Sequence, residues 1–499
     1  MESKNTAKRG RIEALKQKIS ATALNTPARS SIYFTATNLI SKGAAFIFTP
    51  MFTRLLSAEE YGEYSLFTSY LSVAIVIVSL EIPGSVIMRA FQKKRGLENL
   101  CILTAFPISA ILTVPCVMLL GVVRGGLNFT FANAFLALSL ASVSFINLYV
   151  SACRFLYRWR APLICAVLQS VVTPIISITL INMNTLQQYG HITLKIGTGS
   201  IITALIALTL FVSSVVRAGR EARGAGFNFS AYPSFAGELW RTLLSLCLPL
   251  LPYYFSVMAI SQADKLLISS YLGKEALGKY SIAYSAGIAL TAVTGGIMSA
   301  LCPWIMRKVR AGEISSVRAA LGAITGIALP AIIVFLAAAP EIFSVLAPKN
   351  YETALPVLFI SAIIPLPLAL SSCLCSIAVA KEKTLGILLS GTTCAMAAII
   401  LDFALVGRSE LYIPALITAG CYVALMLLES LSVRKILGES ALNVNKTFQH
   451  ILFLAFFSAV LFVLRSFLIL RIMIAFTSAL YLLYMLHRSK WLLSEQKHQ

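Results

Sequence analysis

Long apolar runs, cut at intervals by short polar segments, recur from residue 31 almost to the end of the chain. Read at helical length they predict fourteen membrane-crossing helices. These cover approximately residues 31–53, 64–88, 99–120, 131–153, 162–184, 198–216, 242–264, 280–303, 319–346, 355–380, 385–406, 412–433, 448–464 and 467–486. A helix needs roughly 20 residues to cross ~30 Å of hydrocarbon, and each run is close to that length. The expected fold is therefore all-α and polytopic, because a lipid-exposed segment must satisfy its backbone hydrogen bonds internally.

A second pattern is laid over the first. The segment "LSAEEYGEYSLF" at 56–67 returns as "LGKEALGKYSIA" at 272–283, with Leu56, Glu59, Gly62, Tyr64 and Ser65 matching Leu272, Glu275, Gly278, Tyr280 and Ser281. Six spans separate the copies, an even number, so both corners face the same side and the repeat is parallel. This predicts two six-helix lobes, residues 31–217 and 242–435, with a Gly-, Ser- and Arg-rich cytoplasmic linker at 218–241. Residues 1–30 form a basic tail that is expected to stay on the protein and inside the cell. Residues 436–499 add two helices and a second cytoplasmic tail.

Composition agrees with the pattern: 58% of the 499 residues are hydrophobic and 12% are charged. Charge then orients the chain. With the N-terminus inside, the cytoplasmic segments hold 30 Lys and Arg and the external ones 10, with Lys42 inside the first span. Such residues are retained on the cytoplasmic side, so both termini are expected there. The same bias explains the net charge of +21 without nucleic acid as a partner, leaving membrane lipids beside the loops. The ten cysteines and four histidines lack ligand spacing, so neither a metal centre nor a disulfide framework is expected.

Charges inside spans single out candidate functional residues, since a lysine at a span centre costs roughly 2.5–3.5 kcal/mol on insertion scales. In the first span Thr35, Asn38, Lys42, Thr49 and Thr53 fall within roughly 60° on a helical wheel. In the seventh, Tyr254, Ser261 and Lys265 fall within about 40°, and Asp264 is turned about 100° away. The first stripe fits either a wet cavity or hydrogen bonding between helices; the second fits the same cavity, or a Lys265 that snorkels outward, or an Asp264 that merely neutralises its neighbour. Glu81 lies inside the second span and Arg89 at its inner end, while Asp402 sits near the outer end of the eleventh. Asp264, Glu81 and Asp402 are candidates for ion coupling. Glu341 and Glu429 read as boundary residues. Pro249 and Pro252, just before the Lys265 stripe, read either as a hinge or as simple packing kinks.

Three stretches carry a family resemblance: "NLISKGAAFIFTPMFTRLLSAEEYGEYSL", "QADKLLISSYLGKEALGKYSIAYSAGIAL" and "PEIFSVLAPKNYETALPVLFI". Over residues 31 to about 433 the chain resembles the polysaccharide flippases of the multidrug/oligosaccharidyl-lipid/polysaccharide exporter superfamily. The resemblance implies export of a polyprenyl-diphosphate-linked oligosaccharide across a bacterial cytoplasmic (inner) membrane. It carries over Lys42, Arg54, Arg89, Asp264 and Lys265 by motif position. Lys265 stands where the family more often has arginine, and lysine holds phosphate as a point charge. A monomer is expected, working beside a polysaccharide polymerase and assembly proteins.

The expected mechanism is alternating access of a cationic cavity between the lobes. Lys42 and Lys265 would hold the diphosphate while polar residues solvate sugar hydroxyls, and Asn38, Arg54, Arg89, Tyr254 and Ser261 complete the candidate substrate-binding set. No Walker-type loop is present, so no nucleotide cofactor is expected and any drive comes from a gradient, the membrane potential or product consumption. A cation-coupled drug or metabolite antiporter of the same superfamily is one alternative, favoured by Glu81 and Asp402. A membrane glycosyltransferase or ligase is another, disfavoured because every external connection is short. A non-transporting scaffold would show no coherent polar stripe.

Overall fold

The computed structural model describes residues 27–80, 82, 96–123, 131–156, 158–183, 190–249, 251–408 and 410–488. The first half contains α1 (Pro27–Leu55), α2 (Ala58–Ser79), α3 (Glu98–Val123), α4 (Phe131–Phe155), α5 (Arg160–Ile181), α6 (His191–Gly224) and α7 (Tyr232–Cys247). The second contains α8 (Leu251–Tyr271), α9 (Gly273–Gly287), α10 (Thr291–Arg310), α11 (Ile314–Ala337), α12 (Ala339–Leu346), α13 (Leu355–Ser361), α14 (Pro365–Ala380), α15 (Leu385–Leu405) and α16 (Ile413–Leu437). Helices α17 (Val444–Val463) and α18 (Leu468–Arg488) close the chain.

Among the described residues every one of the fourteen apolar runs falls on a helix, and eleven helical segments are long and apolar enough to cross a membrane. The protein is a multi-pass integral membrane protein. The three runs outside that set are α1, α8 and the α9–α10 pair. Of these α8 is long enough at 21 residues, but Gln262, Asp264 and Lys265 lower its apolarity. The α9–α10 pair is one run broken by a 3-10 turn at Ile288–Leu290.

Local sequence sets the helix ends. At the first corner the Ser57 hydroxyl accepts from the Glu60 N–H at 3.1 Å, and Glu60 Oε2 accepts from the Ser57 N–H at 2.8 Å. This capping box satisfies two otherwise orphaned donors and starts α2 one turn after α1 stops. In α5 a π turn over Leu168–Val172 precedes Pro174, and the Thr173 hydroxyl reaches the Leu168 carbonyl at 3.0 Å. A proline lacks the N–H that a regular turn needs, and the wider turn absorbs the mismatch. Gly438, at φ +78°, ends α16 in the left-handed conformation that costs glycine least.

Residues 218–241, expected as a linker, are mostly helical. Helix α6 runs on to Gly224, and α7 follows with Phe235, Leu239, Leu243 and Cys247 buried in the core of the first half. Trp240 Nε1 donates to the Thr104 carbonyl of α3 at 2.6 Å. The apolar positions of α7 fall on one face, and the sequence reading merged its end with the seventh span, predicted at 242–264. The break lies instead just before α8, and Pro252 occupies the first turn of α8, where its missing N–H costs nothing.

Two large apolar cores result. One joins the end of α2 with α3, α4, α6 and α7, and the other joins α8 to α17 with Ala58 of α2. We call the end where α1 turns into α2 the corner end, and the opposite one the basic end.

Candidate functional site

The repeated corners meet each other. Helix α9 packs along α2, and the hydroxyls of Ser65 and Ser281, 216 residues apart, are 2.5 Å from one another. A Cβ on Gly62 would lie 1.8 Å from the carbonyl oxygen of Lys274, and one on Gly278 would lie 2.0 Å from that of Ala58. Ala58 and Lys274 are themselves repeat equivalents, so every contact is reciprocated. That is the signature of a local two-fold axis, here running between the two halves of a single chain. Only glycine lets two helix backbones approach this closely. The repeat is thus explained: two copies of one corner build one symmetric seam.

Other contacts flank the seam. Lys274 Nζ lies 3.4 Å from Glu63 Oε2, and the Thr53 hydroxyl at the end of α1 donates to the Leu346 carbonyl at 2.8 Å. Arg54 is exposed, with its guanidinium on the carbonyls of Pro50 at 3.2 Å and Val345 at 3.4 Å.

A missed residue braces this corner. The charge count places Lys195 among external loop residues, yet it is 6% exposed, with its ammonium 3.9, 4.8 and 3.6 Å from the ring centroids of Phe52, Tyr61 and Tyr64. The quadrupoles of three rings offset part of the lost hydration. Sequence spacing carried no signal for this cage, because the rings stand on α1 and α2 and the lysine on α6.

On α8 the half-buried Lys265 donates to Gln262 Oε1 at 3.1 Å and sits 4.9 Å over the Tyr284 ring. Gln262 Nε2 donates to Ser261 at 3.3 Å, so the sequence-predicted Lys265 and Ser261 are joined through a residue the prediction omitted. Tyr254, half-buried, packs edge-on against Tyr253 about three turns back. Arg54 is bound at the corner seam and does not join the Lys265 cluster. Asn38 and Lys42 stand on α1 with their side chains outside the description, and Glu81 and Arg89 lie outside the described residues.

Among the described residues three carboxyl groups of the second half are fully buried. Asp264 accepts from the Tyr280 hydroxyl, from the Lys265 N–H at 2.7 Å and from Thr418 at 3.5 Å. Asp402 on α15 has no hydrogen-bond partner for either oxygen among the described residues, and lies within electrostatic reach of Asp264. An ionised carboxylate buried without donors is very costly, so Asp402 needs a proton or a cation.

Glu429 corrects the sequence reading. It is not a boundary residue but 0% exposed, accepting from Tyr253 at 3.1 Å and Ser371 at 2.5 Å. Helix α16 continues eight residues beyond it to Leu437, which places it about 12 Å inside the helix end. The second boundary reading, Glu341, holds: its side chain is 52% exposed and pairs with Arg471 of α18.

The sequence matches the family described as "Polysaccharide biosynthesis protein" over residues 28–309. The chain belongs to that family. No curated protein matches it by sequence. By structure it is similar to the lipid II flippase MurJ in an inward closed conformation, with 16% identity, 92% of this chain and 97% of that one covered, and a TM-score of 0.51. A point mutant of the Vibrio cholerae MATE transporter VcmN matches at 15% identity over 83% of this chain and 99% of that one, with a TM-score of 0.55. A transporter of the same superfamily from Pyrococcus furiosus matches at 11% identity over 86% and 96%, with a TM-score of 0.54. At these identities the likeness concerns architecture: this family member has the fold of the multidrug/oligosaccharidyl-lipid/polysaccharide exporter superfamily.

Proposed function

We propose that this member of the polysaccharide biosynthesis family is a flippase. Its cargo is a polyprenyl-diphosphate-linked oligosaccharide, moved from the cytoplasmic to the outer leaflet of a bacterial inner membrane. The observation that carries the reading is the reciprocal Gly62–Gly278 seam, a closed joint between repeat equivalents at one end of the bundle. Alternating access requires such a joint at each end, one closed while the other is open.

The basic loops orient the molecule, with the corner end outside and both termini cytoplasmic. The two moving bodies follow the repeats: residues 31–217 together with α7, whose apolar face is part of that core, and the second half from α8 to residue 435. A diphosphate-sugar headgroup cannot cross hydrocarbon unaided, since desolvating its charges costs far more than ~10 kcal/mol. Lys42 and Lys265 supply a cationic compartment between the bodies, with Ser261 and Gln262 beside Lys265 for sugar hydroxyls. Asp402 and Asp264 supply the coupling to a proton or cation gradient. A polysaccharide polymerase outside consumes the product.

The test replaces Lys42 and Lys265 singly with Ala and follows surface glycan and inner-leaflet lipid-linked precursor in cells. Precursor should accumulate while glycan falls. Normal glycan with both variants, at normal protein levels, would rule the cationic compartment out.

A further inference from the structure

At the basic end of the first half a cavity of about 420 Å³ is lined by Arg158, Arg217, Arg220, Asn99 and Glu221. These residues come from three separate parts of the chain: the start of α3, the connection after α4, and the last turns of α6. Positive residues at a cytoplasmic boundary are ordinary. This group differs from ordinary anchors in two respects.

First, its single acid is engaged elsewhere. Glu221 Oε2 accepts from the Asn99 N–H at 2.9 Å and Oε1 from the Asn99 side-chain amide at 2.5 Å, and Asn99 is 2% exposed. Among the described residues none of the three guanidiniums forms an ion pair, so the cavity carries three cations against one carboxylate, Glu221, which Asn99 holds away from them. Second, Arg217 is positioned rather than free to splay outward, because its Nη1 donates to the hydroxyl of the buried Tyr149 at 3.0 Å.

Depth identifies the kind of ligand. Helix α6 begins at the corner end, where His191 Nδ1 lies 3.6 Å from Glu60 Oε1. Arg217 is 26 residues further on, about 39 Å along the axis, which exceeds the ~30 Å hydrocarbon core and reaches the headgroup layer of the opposite face. Guanidinium forks match phosphate oxygens bidentately, and ligand cavities of about 300–1,000 Å³ hold groups larger than a lone phosphate.

We infer that this cavity is a binding site for the phosphate of an anionic lipid headgroup in the basic-end leaflet, separate from the Lys265 cluster. The site serves a lipid that is retained rather than carried, or it receives a diphosphate-lipid before it enters the compartment. Both need the same phosphate contacts. The inference does not depend on which cargo the protein moves.

The experiment uses the full chain purified in a neutral detergent and titrated with short-chain phosphatidic acid, short-chain phosphatidylcholine and inorganic phosphate. Phosphatidic acid should bind saturably, and phosphatidylcholine about tenfold or more weakly, because its choline opposes the three cations. Arg217→Gln and Arg220→Gln should each weaken phosphatidic acid by about tenfold, and Arg217→Lys by less, since charge without the fork is retained. Inorganic phosphate should displace the lipid only at much higher concentration. Arg310→Gln and Lys381→Gln, at exposed basic-loop positions outside the cavity, should leave binding unchanged. Equal loss in these controls would mean generic attraction and overturn the site. Equal affinity for the two lipids, or binding of inorganic phosphate alone, would overturn it as well. Arg217→Lys keeps the test meaningful if a Gln variant fails to fold.

Discussion

Adding a single methyl group at the corner seam separates contact geometry from helix propensity. In Gly278→Ala the new Cβ would stand 2.0 Å from the Ala58 carbonyl oxygen, where real contacts are essentially never below 3.0 Å. The obstacle is backbone, which cannot rotate aside as a side chain can, so the two helices must part by about an ångström. Overpacking of this kind costs ~1–3 kcal/mol, which displaces the equilibrium away from the closed seam by about 5- to 150-fold. Helix propensity alone argues the opposite, since Ala favours a helix by about 1 kcal/mol over Gly. The readout is a Ser65→Cys/Ser281→Cys pair in a background freed of the ten native cysteines, oxidised in membranes. The hydroxyls are 2.5 Å apart, close to the ~2.05 Å of a disulfide, so the parent pair should cross-link readily. Gly278→Ala should slow cross-linking by an order of magnitude, and so should Gly62→Ala, whose Cβ would meet the Lys274 carbonyl at 1.8 Å. The double variant should add little, because both changes open one joint. Undiminished cross-linking in both single variants would refute the seam as a tight, closed contact.

Two further outcomes are expected elsewhere in the molecule. Arg471, 4% exposed, holds Glu341 at 2.7 and 2.5 Å and the Ala337 carbonyl at 2.7 Å, so Arg471→Ala should lower the thermal midpoint by a cost of ~1–3 kcal/mol, with the exposed half of the pair discounted. The same hydrogen bonds hold the Glu341 carboxyl below its usual range, so this stability is present above the unfolded value near ~4.3 and is lost as pH falls through the lower folded value. The difference between parent and variant should therefore narrow in acid, and a gap that widens would contradict the pairing. For Asp402→Asn, transport in vesicles should lose its dependence on an imposed proton or sodium gradient; unchanged dependence on both removes Asp402 as the coupling group.

Much of the architecture was legible because membrane physics leaves few options. Among the described residues the fourteen apolar runs fell on helices, since backbone groups in hydrocarbon have no other partner. Helix α7 was missed for the complementary reason. Most of it lies outside the long apolar runs, and its buried Phe235 and Leu239 alternate with polar residues that a hydropathy reading assigns to a loop. Charged residues were harder still, because their type says nothing about their partners. Lys265 was identified from its stripe, but the residue that links it to Ser261 is Gln262, outside the stripe as drawn. Lys195 and Glu429 were placed at boundaries by composition, and only tertiary contacts bring three rings around one and two hydroxyls to the other.

The repeat carried more than topology. Within each half the polar contacts are buried and specific: a caged Lys195, Asp264 under Tyr280, and Glu429 between Tyr253 and Ser371. Removing one partner from such a contact leaves a desolvated group behind, which makes it costly to open and suits a body that moves as a unit. Between the halves the corner seam is built differently, from glycine backbone, a pair of serine hydroxyls, the Thr53 hydroxyl on the Leu346 carbonyl and an exposed Lys274–Glu63 pair. Water can satisfy every one of those groups when the helices part, and an exposed ion pair contributes only ~0–1 kcal/mol. The seam is therefore tight in geometry but easily released, a combination that two copies of a Gly-x-x-Ser corner can provide and a bulky apolar interface cannot.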